Sequence, residues 1–137
     1  MDLSKYYSIA GKPGIFEMLS QSKNGAVMKS LMDGKHLPVF TSDKISSLKE
    51  IVMFTTGKDV PLKTVFQNVF RKEAGKEAGV SPKADNKALQ AWFSEVLPEW
   101  DQARVYVSDI KKVAAWYNLL LTKNLIDLEE DQPDEKN

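Results

Sequence analysis

Three lysines in the first sixty residues stand directly after a glycine: Lys12 after Gly11, Lys35 after Gly34 and Lys58 after Gly57. An ammonium on a glycine-flexed turn, with backbone N–H groups beside it, is suited to holding phosphate oxygens. Lysine is also the ordinary residue of exposed turns and strand edges, where it keeps a chain soluble and discourages edge pairing. If successive strands alternate in direction, Lys12, Lys35 and Lys58 share one end of the fold, and Lys23, Lys44 and Lys49 share the other. The expectation is a nucleic-acid-binding surface made of Lys12, Lys35 and Lys58.

A second group is aromatic. Trp92, Phe93, Trp116 and Tyr117 fall at the helical spacing of core residues, but Trp100 and Tyr106 lie in an irregular stretch, 98–107, together with Arg104. Trp, Tyr and Arg dominate binding hot spots. Trp100, Arg104 and Tyr106 are therefore the candidate protein-binding surface, set against a packed connector, which is the ordinary reading of such a stretch. On the docking reading, Trp100→Ala and Arg104→Ala leave folding intact and remove a partner.

Catalytic constellations are hard to build from this chain. The single His36 has no nucleophile and carboxylate placed near it by the sequence, and no Cys is present for thiol chemistry or for Cys-ligated zinc and iron–sulfur clusters. Ser46-Ser47-Leu48-Lys49 and Ser108-Asp109-Ile110-Lys111 match a Ser-x-x-Lys spacing, but without the companion elements of an acyl enzyme. Gly57-Lys58 lacks the upstream glycine of a phosphate-binding loop, and the acids follow no calcium-binding spacing. No catalytic residue, metal or cofactor is expected.

These groups need elements to position them. Turn signals recur through the first sixty residues: Gly11-Lys12-Pro13-Gly14, Lys23-Asn24-Gly25 and Asp33-Gly34-Lys35. They separate strands at Tyr6–Ala10, Ile15–Ser20, Ala26–Met32 and His36–Thr41, with one or two helical turns over Asp43–Lys49 and a fifth strand at Ile51–Thr55. Five short strands in about fifty residues suit a small, bent antiparallel barrel of the SH3-like or Sm-like kind. From Pro61 the period turns helical. Leu62, Val65, Phe66, Val69 and Phe70 form one stripe, Leu89, Trp92, Phe93, Val96 and Leu97 a second, and Ile110, Val113, Ala114, Tyr117, Leu120 and Leu121 a third. Ser81-Pro82 reads as a cap followed by a first-turn proline, with the second helix running from about Asp85 to Leu97 and stopping at Pro98, and Ser108-Asp109 caps the third.

The expected fold class is α+β: a small β-barrel domain with a bridging helix over 1–73, a linker over 74–81 marked by the Lys-Glu-Ala-Gly repeat, a helical hairpin over 82–128, and a disordered acidic tail over 129–137. The 137 residues carry 19 basic and 19 acidic side chains, yet the chain up to Ile126 is positive, because acids crowd its last eleven residues. Beyond solubility, such a tail suits competition with an acidic partner for a basic face. The start lacks the basic flank and apolar run of a signal peptide, and no stretch has the ~18 apolar residues of a membrane span, so a cytoplasmic setting away from membranes is expected.

Two segments carry a likeness to a known family. They are Ser8-Ile9-Ala10-Gly11-Lys12-Pro13-Gly14-Ile15-Phe16, with Pro38-Val39-Phe40 and Val60-Pro61-Leu62, and Arg104-Val105-Tyr106-Val107-Ser108-Asp109-Ile110-Lys111-Lys112 with Trp116-Tyr117-Asn118. In these the sequence resembles an uncharacterised bacterial family typical of the Bacteroidota, a domain of unknown function. The resemblance spans most of residues 3–122 and implies an N-terminal small domain with a helical C-terminal companion. It implies no activity. The functional expectation is a non-enzymatic cytoplasmic binding or adaptor protein that docks a protein partner, with an RNA- or DNA-binding module as the alternative.

Overall fold

The computed structural model describes residues 1–128 of the chain, so the expected acidic tail at 129–137 lies outside the described residues. Five strands come first: β1 (Tyr6–Ile9), β2 (Lys12–Ser22), β3 (Gly25–Ser30), β4 (His36–Phe40) and β5 (Ile45–Ser47). They form one antiparallel sheet in the order β4-β3-β2-β1-β5. A 3-10 turn (Leu48–Glu50) leads to β6 (Val52–Met53) and β7 (Val60–Pro61), which pair only with each other. Three helices follow: α1 (Leu62–Lys72), α2 (Asn86–Val96) and α3 (Val107–Thr122).

The fifth strand of the sheet is Ile45–Ser47, where helical turns are expected, and Ile51–Thr55 does not join the sheet. The local reason is Asp43. Its carboxylate accepts the Phe40 N–H at 2.8 Å, and its own N–H donates to the Phe40 carbonyl at 2.9 Å. This closes a turn where a helix would start, and it delivers Ile45 opposite Ile9. Ser81-Pro82 likewise starts no helix. Asp85 caps α2 by accepting the Ala88 N–H at 2.8 Å. Asp109 sits three residues into the start of α3 and accepts the Tyr106 N–H at 2.9 Å.

Alternation along the strands gives the sheet two different faces. Tyr6, Ile15 and Leu31 point toward the helices and join one large core with Leu62, Val65, Phe66, Phe93, Ile110 and Tyr117. The opposite face carries Ile9, Phe16, Met28 and Val39, each at most 4% exposed. Their apolar neighbours are Tyr7, Met18 and Leu37, all from the same sheet. A sheet face that buries itself without a covering layer is curled, and β2, eleven residues long, bends with register shifts in both of its ladders. The curl does not close into the expected barrel: β4 and β5 are the two edges, and no ladder joins them among the described residues.

Residues 74–81 are fastened to the helices. Tyr117 Oη donates to the Lys76 carbonyl at 2.7 Å, the Ala78 N–H to Asn118 Oδ1 at 2.8 Å, and the Gly79 N–H to the Glu73 carboxylate. Trp92 Nε1 reaches the same carboxylate at 2.9 Å. No described helix is long and apolar enough to cross a membrane.

Candidate functional site

Ser8 of β1 and Ser46 of β5 are cross-strand partners, and these two small hydroxyl side chains line a gap beneath α3. Lys111, Lys112, Ala115 and Trp116 fall at helical i, i+4 spacing on the part of α3 that roofs this gap. The result is a groove of about 560 Å³ between the β1–β2 turn, the start of β5 and α3. Ala10, Pro13, Ala115 and Trp116 give it an apolar lining, and Lys12, Lys44, Lys111 and Lys112 rim it. Gly11, at φ +83°, lets the chain turn tightly at the mouth.

Among the described residues, every charged side chain lining this groove is a lysine. A second groove of about 370 Å³ adjoins it through Lys12 and Pro13, and is lined further by Phe16, Lys35 and His36. Its one acid, Asp33, already accepts the Lys35 N–H at 2.9 Å. Lys12, Lys35, Lys44, Lys111 and Lys112 are all exposed, and none forms an ion pair with a described residue. Elsewhere Lys29 pairs with Glu17, Lys72 with Glu95 and Arg104 with Asp101. No group of three or more metal-ligating side chains occurs among the described residues.

Of the three lysines singled out from the turns, Lys12 and Lys35 meet at the second groove. Lys58 does not join them. Its carbonyl accepts from Thr55 Oγ1 at 2.6 Å, and Thr55 bridges to Trp100, which holds that turn against the 98–106 connector. Lys44, expected at the opposite end from Lys12, shares a groove with it, because the fifth strand begins at Ile45 and the Lys44 carbonyl accepts the Ala10 N–H at 2.9 Å. Lys111 and Lys112 are absent from the turn-based set, since they belong to a helix. Their signal in the sequence is a stripe of lysines and Ala115 beside the apolar stripe of α3.

The Trp100, Arg104 and Tyr106 surface separates into three environments. Trp100 is 4% exposed, stands edge-on to Phe93 with ring centroids 5.6 Å apart, and donates its indole N–H to Ser94 Oγ at 2.9 Å. It is a core residue, so its loss falls on the fold. Arg104 donates to Asp101 Oδ2 at 2.8 Å and to the Thr55 carbonyl at 3.0 Å, and its guanidinium lies 4.6 Å from the centre of the Phe54 ring. The guanidinium hydrogen bond, followed by the Ala103 N–H, holds the Asp101 carboxyl below its usual range. Tyr106, at 68% exposed, has the most open position, and Arg104 is exposed as well.

Two family models match the chain, each described as a domain of unknown function: one (DUF5606) over residues 3–48 and the other (DUF6852) over 51–120. Among solved structures, the fold is similar to a solution NMR structure from Bacteroides vulgatus determined as a structural genomics target. Sequence identity is 37%, the TM-score is 0.78, and the match covers 98% of this chain and 100% of that one. No curated protein matches the chain.

Proposed function

This chain belongs to the bacterial family of unknown function whose two models it matches, and for it we propose a non-catalytic binding role: the lysine-rimmed groove beneath α3 docks an anionic partner. The supporting observation is the convergence of Lys12, Lys44, Lys111 and Lys112, from three separate stretches of the chain, around one apolar-lined groove with no carboxylate in its lining among the described residues. Four ammonium groups brought together raise the local potential for anions, and the apolar lining adds contact area. The groove's polar side chains are amines and hydroxyls, suited to holding a partner in place.

Ser8–Gly14, Lys111, Lys112 and Trp116, which line this groove, belong to segments that carry the family resemblance. We take the curled sheet to be a small SH3-like barrel left open between β4 and β5, a reading supported by the self-burial of Ile9, Phe16, Met28 and Val39. A cytoplasmic adaptor is the setting this proposal assumes, in keeping with a chain without Cys.

Calorimetric titration with inorganic tripolyphosphate tests the reading. Binding that is lost in a Lys44→Glu/Lys112→Glu variant and kept in a Lys58→Glu/Lys87→Glu control supports the groove. Equal binding by both variants contradicts it.

A further inference from the structure

We infer that the two adjoining grooves form one track for a single strand of nucleic acid, held by its phosphodiester backbone; this rests on the binding role proposed above and names its partner. Lys12 belongs to both grooves, so the cations run from Lys111 and Lys112 on α3, past Lys44 and Lys12, to Lys35 at the β3–β4 turn. One small anion would occupy a fraction of such a run. A polyanion can use all of it.

Hydrogen-bonding polarity separates the two classes of polyanion. The polar side chains of the first groove are Ser8, Lys12, Lys44, Ser46, Lys111 and Lys112. No carboxylate or amide acceptor is among them. A phosphodiester backbone offers acceptors without donors and matches a surface of donors. An acidic peptide brings one N–H per residue, and the carboxylates beside the track, Asp33 and Asp109, already accept the backbone N–H groups of Lys35 and Tyr106. The concave apolar lining accepts a sugar or base of a single strand, whereas a duplex keeps its bases paired and stacked, with none free to enter. Contacts of this kind carry no base readout, so binding is independent of sequence.

Fluorescence anisotropy of the full chain with a labelled twenty-residue oligothymidylate tests this, beside a labelled duplex and a labelled polyglutamate of matched length. With five lysines on phosphates, the slope of log K against log salt is about −3.5, and each lysine removed lowers its magnitude by about 0.7. Lys12→Glu/Lys112→Glu is expected to weaken binding by more than about tenfold at low salt, and Lys58→Glu to leave it unchanged. Polyglutamate or duplex binding as tightly as the oligothymidylate would overturn the assignment of a single strand while leaving the groove as an anion site. Oligothymidylate binding that ignores the groove substitutions would also overturn it. Absence of binding to any of the three probes would overturn both this inference and the binding role beneath it.

Discussion

The phenol of Tyr117, on α3, donates to the backbone carbonyl of Lys76 at 2.7 Å, and so fastens the segment after α1 to the helix that roofs the groove. Tyr117 itself is fully buried. Burial first, and the negative charge of Glu73 second, push its ionisation up to about 12. The groove's upper wall is thus set by a neutral, hydrogen-bonded phenol.

Replacing Tyr117 by Phe removes this bond and leaves the Lys76 carbonyl without it, at a cost of about 1 kcal/mol in unfolding free energy. The pH dependence has a definite sign. A phenol whose folded ionisation lies above its unfolded value of 10.0 stabilises the protein fully below pH 10, and that contribution fades as pH rises through about 12. Urea unfolding of wild type and Tyr117→Phe should therefore differ by a constant amount below pH 10 and by less toward pH 12. A gap that widens over that interval contradicts the assignment.

The three helices were legible because each repeats its apolar residues at 3.6-residue spacing, and Leu62, Val65 and Phe66 or Ile110, Val113 and Tyr117 are indeed fully buried. The glycine turns were legible too, since Gly11, Gly25 and Gly34 take positive φ. β5 was hidden: Ile45-Ser46-Ser47 is too short to show alternation, and the Asp43 turn that sets it up mimics a helix cap. That error propagated to the site. Lys44 moves to the end that holds Lys12 only when the strand begins at Ile45. Lys111 and Lys112 were missed because their proximity to Lys12 depends on α3 crossing the sheet over Ser8 and Ser46, a relationship with no local trace.

Trp100→Ala should cost about 3–5 kcal/mol, as expected for deleting a buried indole, because it also removes the contact with Phe93 and the bond to Ser94. Tyr106→Ala should stay within about 0.5 kcal/mol of wild type. Chemical denaturation of both variants checks this. Equal effects would show that the connector is not packed in this way.

Gly25 and Gly14 differ in what a methyl group would meet. At Gly25 it would run into the backbone carbonyl of Val39, and at Gly14 it would lie 2.5 Å from Met32 Sδ, the flexible part of a half-exposed side chain. Both positions have positive φ, which costs a non-glycine residue about 1–2 kcal/mol. Gly25→Ala should therefore be the more destabilising. Met32→Ala should relieve part of the Gly14→Ala penalty and none of the Gly25→Ala penalty in double-mutant cycles of thermal unfolding.

Residues 129–137 contribute five acids against one lysine, so a chain ending at Leu128 has 18 basic and 14 acidic side chains. Removing them should tighten oligonucleotide binding several-fold at about 50 mM salt, and by much less at about 200 mM, where charges more than ~8 Å apart are screened. Anisotropy titrations of the two chain lengths measure the difference. Equal affinities at low salt would remove these acids from the account.

The central claim is the location of the binding surface, and an amide-resolved NMR titration with oligothymidylate locates it directly. The account predicts shifts at Ser8–Gly14, Lys44–Ser46 and Lys111–Trp116, with smaller ones at Asp33–His36 and none at the connector of Trp100, Arg104 and Tyr106. Shifts confined to that connector, or to the turn holding Lys58, would contradict it.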